Sequence, residues 1–124
     1  MPELQDCIFC REPRIILQND LAFARYDAHP VSPGHCLVIS HRHVAEYFHT
    51  TRAEKAALWD LVDELKTLLD EKYQPDAYNV GINVGKAAGQ SIPHVHIHVI
   101  PRYTGDIENP RGGVRGVIPA KQKY

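Results

Sequence analysis

Charge of either sign is nearly absent as a net quantity. Fourteen Lys and Arg stand against fifteen Asp and Glu, a formal net charge of −1. Such a chain has no field with which to gather nucleic acid or an anionic membrane surface. Long apolar runs are missing too, and none approaches the ~20 residues a membrane-spanning helix needs. The opening "MPELQD" has neither a basic nor an apolar signal region, so it does not read as a signal peptide and a cytoplasmic location is expected. Cysteine is scarce, with three in all. In a reducing compartment the pair in "CIFC" reads as a metal site rather than a structural disulfide. At 124 residues the chain is one domain with room for one core.

Histidine is what the sequence has in surplus, eight in this length. Six of them, His35, His41, His43, His94, His96 and His98, fall in or beside predicted strands. "RIILQND" and "LAFARYD" read as two short strands meeting at Asn19-Asp20. "HCLVIS", "AYNVGINV" and "HVHIHVIPR" read as three more. One helix is clear: it starts at Thr51 with Glu54 in capping-box position and ends before Pro75. Leu58, Leu61, Val62, Leu65, Leu68 and Leu69 form its apolar stripe. Residues 103–124 are rich in Gly and Pro and are expected to be irregular, a flexible tail with Arg111 and Arg115 in it. Trp59 lies off the stripe and suits a core contact or a partner subunit. The expected fold is α+β: an antiparallel sheet of about five strands with one long helix packed on it.

The stretch "IPHVHIHVI" alternates histidine with apolar residues. In a strand this sends His94, His96 and His98 to one face, about 7 Å apart, and Val95, Ile97 and Val99 to the other. The apolar face is core. Three readings suit the histidine face. A neutral imidazole can attack phosphorus while a second serves the leaving group. His-x-His can hold catalytic zinc, which would make a metal-dependent hydrolase. A polar sheet face is the plain alternative. The preceding "NVGKAAGQS" offers Gly85 and Gly89, whose backbone can approach an anion, and the neutral donors Gln90 and Ser91. These suit phosphate better than a metal.

At these residues the chain resembles the histidine triad superfamily, whose signature of three histidines alternating with apolar residues is matched by "HVHIHVI". "YDAHPVSPGHCLVIS" is similar to the family's nucleotide-binding strand-loop-strand, and "GQSIPHVHIHVIPR" to its active-site block. The resemblance implies a nucleotide hydrolase or transferase cleaving at the α-phosphorus of an AMP-containing substrate. It also implies a homodimer built through a continuous sheet. It assigns His96 as the residue that carries a transient nucleotidyl group. His98 would bind the phosphate and help the leaving group, His94 would orient the strand, and His35 would sit behind the triad. It places Asp27 on the ribose hydroxyls, and Asn83, Gly89, Gln90 and Ser91 around the phosphate. A dinucleoside polyphosphate is the first substrate expected, with Mg²⁺ accompanying it. An adenosine phosphoramidate cleaved by the same residues is the alternative, and a non-catalytic nucleotide-binding scaffold is the alternative of another class. Relatives with an N-terminal C-x-x-C imply a structural zinc on Cys7, Cys10, His43 and His94, with His49 the substitute for His43. Residues 1–14 would then be a zinc knuckle. Two partly buried free thiols are the plain reading of the pair. Cys36, in an apolar strand, is expected in the core.

Overall fold

The computed structural model describes residues 6–124. The first five residues, which carry most of "MPELQD" and the start of the proposed knuckle, lie outside the described part. A one-turn helix α1 (Ile8–Arg11) leads to β1 (Leu17–Gln18), β2 (Ala22–Tyr26) and β3 (Cys36–Ser40). The long helix α2 (Arg52–Tyr73) follows, then β4 (Ala77–Ile82) and β5 (His96–Arg102). The five strands form one sheet in the order β1-β2-β3-β5-β4, and every pairing is antiparallel. No helix among the described residues is long and apolar enough to cross a membrane.

Alternation divides the sheet. Ala22, Ala24, Cys36, Val38, Ile97 and Val99 meet Leu58, Leu61, Val62, Leu65 and Leu69 of α2. Each fully buried aliphatic side chain there contributes about 1.5–3 kcal/mol. Burial also pushes the Cys36 thiol up to about 12, so it behaves as a small apolar residue, as expected. Leu68 is only partly buried at the edge of this core, and Trp59 is 40% exposed with its Nε1 donating to Tyr47 Oη. The opposite face of the sheet carries Phe23, Leu37 and Ile39, which pack under Cys7 and Phe9 of the N-terminal segment.

Helix α2 starts where the sequence says. Thr51 is its N-cap, accepting from Glu54 N at 3.0 Å, while Glu54 Oε1 accepts from Thr51 N at 2.8 Å. The buried Glu54 also receives Arg42 Nε and Nη2 at 2.9 and 2.8 Å. That pins the helix start to the loop after β3. Gln74 in the left-handed region ends the helix. At the same end of the molecule Gly34 has φ +88°, and a methyl group there would come within 3.0 Å of the Tyr73 ring.

Three elements differ from expectation. "RIILQND" yields only two strand residues. Arg14 adopts φ 47°, and Asn19 Oδ1 turns the chain early by accepting from Leu21 N and Ala22 N. The last strand begins at His96 rather than His94, because His94 N bonds Ile92 O and Val95 N bonds Val44 O, outside the ladder. The C-terminal segment is not featureless: Gly113–Val117 and Pro119–Lys121 are 3-10 turns. There the guanidinium groups of Arg111 and Arg115 sit 4.9 and 4.7 Å from the Tyr124 ring, and Arg115 donates to Gln122 O and Lys121 O.

Candidate functional site

Two centres meet at the start of β5, and hydrogen-bond chemistry fixes the protons in both. A carbonyl only accepts, so each histidine nitrogen against a carbonyl carries the hydrogen. His94 Nε2 lies 2.8 Å from Ser40 O and therefore donates. The His94 Nδ1 lone pair is left facing Cys7 Sγ at 3.3 Å and Cys10 Sγ at 3.5 Å. His43 Nδ1 approaches Cys10 Sγ at 3.4 Å. The donor atoms of Cys7, Cys10, His43 and His94 all lie within 4.8 Å of one another. Tetrahedral Zn–S and Zn–N bonds of ordinary length put neighbouring sulfur and nitrogen donors about 3.5 Å apart, which is the spacing found. Burial and the neighbouring Cys7 raise the Cys10 thiol to about 11, and burial lowers His94 to about 4. Near neutral pH the Cys10 thiol and the His94 ring are therefore uncharged, and a cation bound here would displace the thiol proton. These four residues could hold a metal. His49 stands apart, exposed, with Glu46 Oε1 at 3.9 Å from its Nδ1.

The second centre runs through His96, His98, His35 and Asp27. His96 Nδ1 is 2.8 Å from His94 O, so Nδ1 donates and Nε2 keeps its lone pair. His35 Nδ1 accepts from Val31 N at 3.1 Å, which puts the His35 proton on Nε2. That proton goes to His98 Nδ1 at 3.0 Å, so His98 holds its own proton on Nε2. Asp27 Oδ2 lies 3.5 Å from His35 Nε2. Burial lowers the basicity of all three imidazoles, and in His98 the neighbouring His96 and His35 add to it, bringing it to about 4. Near neutral pH the row therefore offers one bare ring nitrogen on His96 and one N–H on His98.

The rings of His96 and His98 are 5.2 Å apart between centroids, closer than the strand spacing suggests because they lean together edge to face. His94 does not stand beside them. Its ring is turned to the cysteines, and its carbonyl orients His96. The three histidines thus form no common metal site; among the described residues the donor atoms converge in Cys7–Cys10–His43–His94 and in Asp27–His35–His98. In the latter, His35 Nε2 is protonated and has no lone pair for a cation.

His96 is 6% exposed under the edge of the Phe9 ring, whose centroid is 5.2 Å away. Glu46 Oε1 is the buried side-chain polar atom without a hydrogen bond among the described residues. Two cavities flank His35. One, of about 520 Å³, includes Tyr26, Asp27, Gly34 and Tyr73. The other, of about 400 Å³, includes His98, Gly81, Asn83 and Val117. The Gly85–Gly89 loop is braced by Gln90. Its Oε1 accepts from Gly85 N at 2.9 Å, and its Nε2 donates to Ala45 O and Ile92 O at 2.6 and 3.0 Å. Gly89 is left-handed at φ 94°, and Ser91 is exposed. Sequence reasoning missed Phe9, the Val31 amide and the buried Arg25. A charged residue inside the apolar run "LAFARYD" was the available signal for Arg25; a backbone amide leaves none.

Fold and site together define a small α+β domain with a histidine row at the start of a central strand and a Cys₂His₂ cluster behind it. The HIT domain family model matches residues 11–105, and the chain belongs to that family. It is 37% identical over 99 residues to the bis(5'-adenosyl)-triphosphatase of Dictyostelium discoideum, covering 80% of this chain and 66% of that protein. It is 33% identical over 107 residues to the AP-4-A phosphorylase of Mycobacterium tuberculosis, covering 86% of this chain and 53% of that one. The chain thus spans between about half and two thirds of these relatives. A solved Zn-bound histidine triad family protein from Mycobacterium smegmatis superposes with a TM-score of 0.76 at 29% identity, over 83% of this chain and 79% of that chain.

Proposed function

We propose that this chain is a nucleotide hydrolase or transferase that cleaves at the α-phosphorus of an AMP-containing substrate, with a dinucleoside polyphosphate foremost. The observation that carries this is the proton placement: a bare Nε2 on His96 beside an N–H on His98. The His96 Nε2 lone pair attacks phosphorus, the P–O bond to the leaving polyphosphate breaks, and the polyphosphate departs as its anion, with the His98 Nε2–H hydrogen-bonded to the charge that develops on the phosphate and the departing oxygen. Water then attacks the same phosphorus, the P–N bond to His96 breaks and returns the lone pair to Nε2, and the water proton leaves to solvent. The Val31 amide and His35 hold His98 in the donating tautomer, and the His94 carbonyl holds His96 in the attacking one. Asp27 takes the ribose hydroxyls. Asn83, Ser91 and the backbone at Gly89 face the phosphates, and Gln90 keeps that loop in shape. The names of the Dictyostelium and Mycobacterium tuberculosis relatives support the substrate class. The latter name also leaves inorganic phosphate as an acceptor in place of water.

Cys7, Cys10, His43 and His94 are assigned to zinc, which in a closed four-ligand shell fastens the N-terminus to the active strand. The outer edge of β4 carries no strand partner in this sheet, which supports a homodimer formed there. Incubation with diadenosine triphosphate, a base quench and intact mass measurement test the chemistry. An AMP-mass adduct is expected in the wild type and absent in His96→Ala; undiminished turnover in that variant would refute the covalent route.

A further inference from the structure

Arg25 is a buried charge that neither the proposed chemistry nor the metal cluster uses. It is 3% exposed, and register puts it on the histidine face of the sheet, in the row Arg25–Leu37–His98. Its Nη1 donates to Glu12 O at 2.8 Å and its Nε to Tyr26 O at 3.1 Å. Its Nη2 has no acceptor among the described residues and is not one of their wholly buried, unbonded side-chain polar atoms. Desolvating a guanidinium is costly unless its donors are matched, so a leftover donor at a solvent opening calls for an acceptor from outside. The Phe9 ring, 5.7 Å from Arg25 Cζ, stands between this donor and His96. Asp27 follows two residues later on the same face. Two strand spacings, about 10 Å, separate β2 from β5, which matches a nucleoside monophosphate laid across Leu37 with its phosphate at His98.

We propose that Arg25 reads the nucleobase and selects guanine over adenine. The inference rests on the reading of His96 and His98 as the phosphate end of a nucleotide site, and it refines the AMP-containing substrate of that reading: AMP esters are accepted there, and their guanosine counterparts are preferred. Guanine presents two adjacent acceptors, O6 and N7, to a guanidinium edge. Adenine replaces O6 with an amino group, which sets donor against donor.

The test is calorimetric binding of GMP, AMP, 7-deaza-GMP and ribose 5-phosphate to the metal-loaded protein. GMP is expected to bind about tenfold or more tighter than AMP, and 7-deaza-GMP to lose much of that margin, as for a hydrogen bond to a charged donor. The modified bases probe the wild-type chain, so the result does not depend on a variant folding. Arg25→Lys keeps a cation for Glu12 O but not the fork, and Arg25→Met keeps neither. In both, GMP and AMP are expected to converge while ribose 5-phosphate binding stays unchanged. Equal GMP and AMP binding in the wild type would overturn the assignment of Arg25 alone, provided ribose 5-phosphate still binds. A GMP preference that survives in Arg25→Met would do the same and leave Arg25 as a strap for the Glu12 segment. Failure of all four ligands to bind would overturn the nucleotide reading with it.

Discussion

Glu54→Gln is the substitution that most directly tests how the helix is tied to the site. The carboxylate accepts from Thr51 N and from two nitrogens of Arg42, all within 2.9 Å. Arg42 follows Ser40, whose carbonyl holds His94, and precedes His43. These bonds, the Arg42 hydrogen bond foremost, lower the Glu54 carboxyl from 4.5 to about 2. That difference corresponds to at most about 3 kcal/mol of native-state stabilisation. The Arg42 side chain is 56% exposed, and screening by water reduces the figure to about 1–2 kcal/mol. A depressed carboxylate stabilises fully above its unfolded pKa and loses that contribution as pH falls from 4.5 toward 2. Urea unfolding should therefore show Glu54→Gln less stable by about 1–2 kcal/mol at pH 7, or roughly 3–8 °C in Tm. The gap should shrink to about half at pH 3. A gap of only a few tenths, or one equal at both pH values, would refute the ionic account of this cap.

Cys10→Ser and His43→Ala should each reduce bound zinc, measured by atomic absorption, from about one per chain to near zero, whereas His49→Ala should retain it. Acid should destabilise the fold through His98, whose pKa falls from 6.5 to about 4 on burial. The unfolded chain binds the proton more readily, so stability is full above 6.5 and declines as pH drops toward 4, by up to about 3 kcal/mol; His98→Asn should flatten that slope in urea midpoints. Leu65→Ala, in the fully buried stripe of α2, should cost about 2–5 kcal/mol in the same assay with zinc content unchanged.

The helix was fully legible because its signals are local: Thr51 and Glu54 lie three residues apart, and the leucine stripe repeats along one face. The core strands were legible for the same reason: Ile97 and Val99 alternate with His96 and His98, and Cys36–Ser40 is a short, continuously buried run. His96, His98 and His35 could be singled out by type and spacing. The turning of His94 toward the cysteines was expected from the family resemblance alone and not from strand alternation, because it depends on Val95 N bonding Val44 O and on cysteines 84 and 87 residues away in sequence. The tautomer of His98 was not legible, because it is set by the backbone amide of Val31 through His35. The shortness of β1 depended on the backbone angle at Arg14, a residue with no sequence bias toward it.

His94 offers its ring to the sulfur cluster and its carbonyl to His96. One residue is thus the joint between the Cys₂His₂ cluster and the ring proposed as the nucleophile. Loading the cluster with cobalt(II) would make that joint visible: a rearrangement around His96 when a nucleotide arrives should register as a change in the colour of the metal behind it.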